Sequence, residues 1–265
     1  MTSQKTEMCA PFVIPADSYD RFIGRFLPTL APEFADAAGI RAGMRTLDVG
    51  CGPGGLTREL VHRLGADSVA AIDPSPPFVA ACTDRNPGVD VRRGAAEQLP
   101  WDDATFDAAL ASLVVGFMSD AVAGVAEMAR VTKPGGVVAA CFWDRERMPV
   151  LNTFWTAAAQ VRPGPDTDMR RLGTQDGELA ALLRGAGLSV VTAGSISATA
   201  NYADFADWWT PFTFGVGPAG AYYDALSGKQ QDDVRRHAFT LLGEPAGPFT
   251  LTAHAWCAVA RVPSG

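Results

Sequence analysis

Long apolar runs, basic clusters and paired cysteines are missing from this chain. No apolar stretch reaches the roughly 20 residues of a membrane-spanning helix, so no membrane partner is expected. No Lys/Arg run of nucleic-acid-binding type occurs, and the net charge is −7 with a pI of about 5.0. An acidic surface repels a phosphate backbone, so DNA and RNA are not expected partners either. The five cysteines (Cys9, Cys51, Cys82, Cys141 and Cys257) are odd in number, scattered and free of C-x-x-C spacing. That argues against a disulfide framework or zinc site and for a reducing cytoplasm. Met1 to Asp20 lacks a basic segment followed by an apolar one, so a secretory signal is not expected. No internal repeat or low-complexity tract is evident. No Ser/Gly linker divides the chain, which favours one domain over residues 1–265.

The 265 residues are 48% hydrophobic and 19% charged, enough for one large core. Residues 1–16 read as a loose arm. Tyr19, Phe22, Ile23, Phe26, Leu27, Leu30 and Phe34 suit one or two amphipathic helices broken near Pro28. An alternation then begins. Strands are expected at Arg45–Val49, Ser68–Ile72, Val89–Arg93, Phe106–Leu113 and Gly136–Trp143. Helices are expected at Gly55–Leu64, Pro76–Asp84 and Asp120–Val131. Repeated β-α-β units imply an α/β fold, a mostly parallel sheet with helices on both faces. Lys133-Pro134-Gly135-Gly136 reads as a structural turn before the fifth strand. After Trp143 the rhythm changes. Residues 148–161, 176–186 and 202–243 look helical, while Leu188–Ile196 and Phe249–Val262 look like strands. This second region reads as a lid.

Residues 46–57 are the strongest functional signal. An apolar strand (Leu47, Val49) ends in Gly50-Cys51-Gly52-Pro53-Gly54-Gly55, and a helix begins. Glycine allows positive φ and close approach of a ligand to backbone, and a new helix N-terminus offers unpaired N–H groups. Gly50, Gly52 and Gly55 satisfy G-x-G-x-x-G, and Asp73 follows about 20 residues later, where an acid would hold a ribose diol. A nicotinamide dinucleotide fits that spacing. Asp48 inside the strand end, Pro53 after the second glycine and the long helical segment ahead of the strand point elsewhere.

Four stretches in order make the reading more specific: LDVGCGPGGLT (47–57), AIDPS (71–75), GAAEQLPWDDATFDAALAS (94–112) and EMARVTKPGGVVAACFWD (127–144). With YDRFIGRF (19–26), they resemble a class I S-adenosylmethionine-dependent methyltransferase of the small-molecule, type 11/25-like kind. The resemblance covers residues 17–144, expected to form the cofactor-binding core, and leaves 145–245 as the lid. It implies a Rossmann-like sheet of seven strands with Phe249–Val262 antiparallel. The implied cofactor is S-adenosyl-L-methionine, released as S-adenosyl-L-homocysteine.

The resemblance also implies roles. Gly50, Gly52 and Gly54 would let backbone approach the methionine part. Asp48 would face its amino group, and Asp73 would accept from both ribose hydroxyls. Pro74 would flank adenine, with Ala96 and Glu97 at its edge; Trp101-Asp102-Asp103 reads as a surface loop, with an adenine shield as the alternative for Trp101. Ser112 would lie near the methyl, and Tyr19 or Arg25 would close over the carboxylate. The family often has Asp where this chain has Ala95, which puts the adenine contacts in question. Tyr19 and His254 are candidate general bases. His62 and His237 read as solvent or core-edge residues, and the cysteines as small core residues. Trp208, Trp209, Phe212 and Phe214 are candidates to line a pocket for an apolar or aromatic small-molecule acceptor. The rivals are a nicotinamide-dependent oxidoreductase and a non-catalytic S-adenosylmethionine-binding or scaffold protein. The oligomeric state is left open.

Overall fold

The strands expected from alternating β and α patterns assemble into one sheet in a computed structural model that describes residues 16–162, 171–215 and 217–264. The N-terminal arm falls outside the described residues except for Ala16. The elements run α1 (Ala16–Arg21), α2 (Leu27–Ala37), β1 (Thr46–Val49), α3 (Gly55–Leu64), β2 (Val69–Asp73), α4 (Pro76–Arg85), β3 (Asp90–Arg93), β4 (Phe106–Ser112), α5 (Ala121–Val131), β5 (Thr132–Trp143), α6 (Pro149–Val161), α7 (Glu178–Gly185), β6 (Ser189–Tyr202), α8 (Phe205–Trp209), α9 (Gly217–Asp224), α10 (Gly228–Leu241) and β7 (Phe249–Arg261). Short 3-10 turns join several of them, among them Ile23–Phe26 and Thr210–Phe214.

The sheet has seven strands in the order β3-β2-β1-β4-β5-β7-β6. The β1–β5 pairings are parallel, and β7 runs antiparallel to both β5 and β6. The central strands β1 and β2 are buried along their whole length, as strands covered on both faces must be. One face carries α2, α3 and α6 against Leu110, Ala139 and Cys141. The other carries α5 and α7 against Leu47, Val49, Ala109 and Val138. Strand order reverses at β1–β4, so the carboxyl ends of these strands open a crevice where such folds bind ligands.

Three local expectations are corrected. Lys133-Pro134-Gly135-Gly136 is not a turn ahead of β5 but a bulge inside it. Thr132 pairs with Phe106 and Val137 with Ala108, so Lys133–Gly136 loop out. Gly135 takes φ +77°, and a Cβ on Gly136 would lie 2.6–2.9 Å from Thr132, Lys133 and Asp107. The strand expected to end at Ile196 continues to Tyr202, because pairing with β7 carries the small residues 197–201. Residues 202–243 break into α8, α9 and α10 with a 3-10 turn, punctuated by Pro211 and Gly215. No helix among the described residues is long and apolar enough to cross a membrane.

Candidate functional site

The turn between β1 and α3 is built from glycine because its neighbours leave no choice. Gly50 has φ +73°, and a Cβ there would lie 2.3 Å from Val114 Cγ2. Gly54 has φ +92°, and its Cβ would meet Asn86 Nδ2 at 2.4 Å. Gly52 has φ +53°, yet nothing lies within 4 Å of where its Cβ would be. Two glycines thus seat the turn, while the third faces open space. The Gly50 and Cys51 N–H groups donate to Ile72 O at 2.8 and 3.0 Å, locking the turn to the end of β2.

Two acids flank this turn. Asp73 ends β2 and is only 6% exposed. Gly52 N–H donates to its Oδ2 at 2.9 Å, and Ser75 N–H to its Oδ1 at 2.8 Å. Burial raises its pKa above the usual carboxylate value, although both bonds oppose the rise. Asp48, in β1, is fully buried. The Thr57 hydroxyl of α3 donates to its Oδ2 at 2.7 Å, but Oδ1 has no partner among the described residues. Burial, with the Asp73 charge adding to it, pushes the Asp48 pKa up to about 7 against the Thr57 bond. A buried carboxylate oxygen without a donor requires an explanation. A ligand donor such as an ammonium group fits it, and the space at Gly52 gives that ligand room beside backbone.

Tyr19 of α1 reaches the same place. Burial comes first, then the charges of Asp20 and Asp73, the Cys141 thiol and Asp48, in raising its hydroxyl pKa above the normal range. Its ring packs edge-on to Phe78 at 5.6 Å, and Asp20 pairs with Arg85 of α4 at 2.7 Å. Ser112 is half-buried at the end of β4, its Oγ 3.5 Å from Cys141 Sγ. Leu113 follows with φ +60°, a strained conformation for a γ-branched residue, at the crevice edge beside Val114. Tyr19, Asp48, Gly50, Gly52, Gly54, Asp73 and Ser112 therefore converge at the carboxyl ends of β1, β2 and β4.

Other expected residues stand elsewhere or are engaged. Arg25 pairs with Asp207, donating to Oδ2 at 2.8 Å and to Oδ1 as well, and also donates to Arg21 O and Asn201 O. Its guanidinium lies 5.0 Å over the Tyr202 ring. Pro74 is exposed between Asp73 and α4. Ala96 is buried against α5, where a Cβ on Gly124 would be 3.3 Å from its own. Glu97 accepts from the Ser119 hydroxyl at 2.7 Å and Asp120 N–H at 3.0 Å. Burial raises its pKa, but these bonds outweigh it and leave the carboxyl below its usual value.

Trp101 does not shield the crevice. Its chain has run back to the amino end of the sheet, where its ring meets Phe106 at 5.6 Å and its Nε1 donates to Asp90 at 3.2 Å. His254 does not face Cys141 either. It alternates with Ala253 and Ala255, which pack into the core face, and lines a separate groove of about 470 Å³ with Glu146, Arg147 and Asn152. Trp208, Trp209 and Phe212 are buried in mutual aromatic contact, and Phe214 is 42% exposed. Among the described residues, no cluster of His, Cys, Asp and Glu has the makings of a metal site. Sequence reasoning gave no role to Thr57, Val114 or Leu113. Thr57 had a signal, as a polar residue on the inward face of α3 between Leu56 and Leu60; Val114 had none.

Residues 47–140 match the family described as Methyltransferase domain. An uncharacterized methyltransferase of Mycobacterium tuberculosis (strain H37Rv) is 37% identical over 136 residues, 51% of this chain and 53% of that one. A malonyl-[acyl-carrier protein] O-methyltransferase of Erwinia billingiae is 30% identical over 154 residues, 58% of this chain and 60% of that one. The chain thus matches little more than half the length of these curated relatives. The [4+2]-cyclase SpnF superposes with a TM-score of 0.54 at 22% identity, covering 89% of this chain and 81% of its own, a likeness of fold alone. The strand order and the glycine turn lie within or around residues 47–140, the segment that matches a methyltransferase domain.

Proposed function

We propose that the protein transfers a methyl group from S-adenosylmethionine to an oxygen, nitrogen or carbon of a small-molecule acceptor. The observation that carries this is Asp48 Oδ1, a buried carboxylate oxygen without a donor beside an open glycine turn. In this reading residues 17–144 hold the cofactor and 145–245 cover it, in the reducing setting that the free thiols Cys51, Cys82, Cys141 and Cys257 suit.

When bound, S-adenosylmethionine supplies an electrophilic methyl on a sulfonium. The chain's own residues position and enclose. Asp48 receives the ammonium group, and Gly52 leaves space for the methionine part. Asp73 receives the ribose diol on the lone pairs that Gly52 and Ser75 leave free. Burial of both carboxylates strengthens these bonds. Pro74, Ala96 and Glu97 border the adenine, with Glu97 fixing the Ser119–Asp120 turn. Tyr19 stays protonated, so it donates and closes the crevice rather than acting as a base. Ser112 and Cys141 floor the space where acceptor and methyl meet. Holding a nucleophile in line in a dry cleft supplies much of the barrier reduction. Arg25 steadies this cover through Asp207. The rings around α6 and α8 pack on one another and leave the acceptor to the crevice itself. SpnF warns that fold alone does not fix the reaction.

The test is transfer of a tritium-labelled methyl group into small molecules of a cell extract. Label should appear with the wild type and not with Asp73→Ala. Binding of the cofactor without transfer to any extract component would favour a non-catalytic binding protein.

A further inference from the structure

Cys51 lies in the glycine turn and Cys82 in α4, and with Ala71 they form a small buried cluster of their own. Each of these two thiols shifts the other's pKa, Cys51 upward and Cys82 downward, as neighbouring groups do. Cys82 in turn lies 3.6 Å from the Thr57 hydroxyl and 3.8 Å from Asn86 Nδ2. A Cβ on Gly54 would lie 3.0 Å from Cys82 Sγ, so α4 presses this sulfur against the turn itself. We propose that Cys51 and Cys82 are an oxidisable dithiol whose disulfide closes the cofactor turn. The gating claim rests on the cofactor reading above.

Peroxide is the oxidant. It converts one thiol to a sulfenic acid and releases water. The second sulfur then displaces hydroxide, which leaves as water with that thiol's proton. Two thiols and one peroxide give one disulfide and two waters, with two electrons passing from sulfur to the O–O bond. The neighbouring Cys51 thiol holds the Cys82 thiol below its usual pKa; burial and the Asp48 charge oppose this, and Thr57 and Asn86 add to it. That makes Cys82 the better nucleophile of the pair. Cys141 and Cys257 also stand opposite each other, in the β5–β7 register. Burial raises both of those thiols, so they are the slower pair.

A disulfide is about 2.0 Å long, much shorter than a non-bonded sulfur contact. Cys82 is anchored on a helix, whereas Cys51 sits between two positive-φ glycines. Cys51 is therefore the residue that moves. Its shift pulls Gly52 N–H from Asp73 and disturbs Thr57, which holds Asp48.

The experiment treats the purified full chain with hydrogen peroxide, maps peptides without reduction and titrates S-adenosylhomocysteine by calorimetry. The expected result is a Cys51–Cys82 linked peptide and affinity weakened by about tenfold or more, the size of one lost charge-assisted hydrogen bond. Dithiothreitol should restore it, and Cys82→Ser should keep its affinity after peroxide. A Cys141–Cys257 link in its place, no link, or a Cys51–Cys82 link with unchanged affinity would overturn the proposal. If the reduced protein binds no S-adenosylhomocysteine, the cofactor reading fails and the gating claim with it, while the peptide map still decides the disulfide.

Discussion

The β1 turn and the aromatic cluster under α6 and α8 are both buried, but one leaves a carboxylate oxygen unpaired and the other only a neutral indole N–H. In the cluster, Phe154 stacks on Phe212 at 4.5 Å, and Trp208, Trp209 and Tyr222 close the ring contacts around them. These rings pack on one another and leave one neutral donor, Trp208 Nε1, buried without a partner among the described residues. At the turn, by contrast, a carboxylate oxygen has no donor, a glycine faces empty space and Leu113 holds a strained φ. A region closed by ring packing serves stability, and one that leaves a carboxylate oxygen unpaired beside open space serves binding.

Truncation should break the comparison most plainly in the cluster. Trp208 is fully buried, so Trp208→Ala should cost about 3–5 kcal/mol in chemical denaturation through the cavity it leaves. Next is the turn. Gly50→Ala forces a Cβ into Val114 and a side chain into positive φ, and should cost about 1–3 kcal/mol with loss of S-adenosylhomocysteine binding.

Asp48→Asn sharpens the contrast because its two effects have opposite signs. Asp48 ionises above pH about 4 in the unfolded chain but only near pH 7 when folded. The folded state therefore binds the extra proton between those values, and the free protein loses stability as pH rises across that window. Asparagine removes this penalty. At pH 8 the variant should melt higher than wild type, by about 2–4 °C per kcal/mol regained, while binding S-adenosylhomocysteine less tightly. A lower melting temperature would mean that Asp48 supports the fold more than it strains it. The smallest effect is expected from Phe214→Ala, which should stay within about 0.5 kcal/mol of wild-type stability because the ring is 42% exposed.

The two regions also differ in how far they could be read from sequence. Gly55–Leu64 and Phe106–Ser112 were legible because period and punctuation agree there: glycines bound the helix, and the strand is apolar from Ala108 to Ala111. The Asp48–Asp73 pairing at one crevice was legible because each acid sits at a strand end beside a turn. The alternative role of Trp101 as a shield fails because the loop after Glu97 runs back along the sheet, a path no local pattern records. The bulge at Lys133–Gly136 was missed because Pro and Gly mark a turn and a bulge alike. In α8 and α9, the apolar side chains of two short helices gave no direction to their packing. Val114 was invisible, since its partner Gly50 is distant in sequence and carries no side chain.

The most direct measurement is calorimetric titration of the reduced protein with S-adenosylhomocysteine, with NADH as control, at pH 8 and pH 5.5. The account predicts binding to S-adenosylhomocysteine alone, weaker at the lower pH because Asp48 is then protonated. Binding of NADH instead, or S-adenosylhomocysteine affinity indifferent to pH, would contradict it.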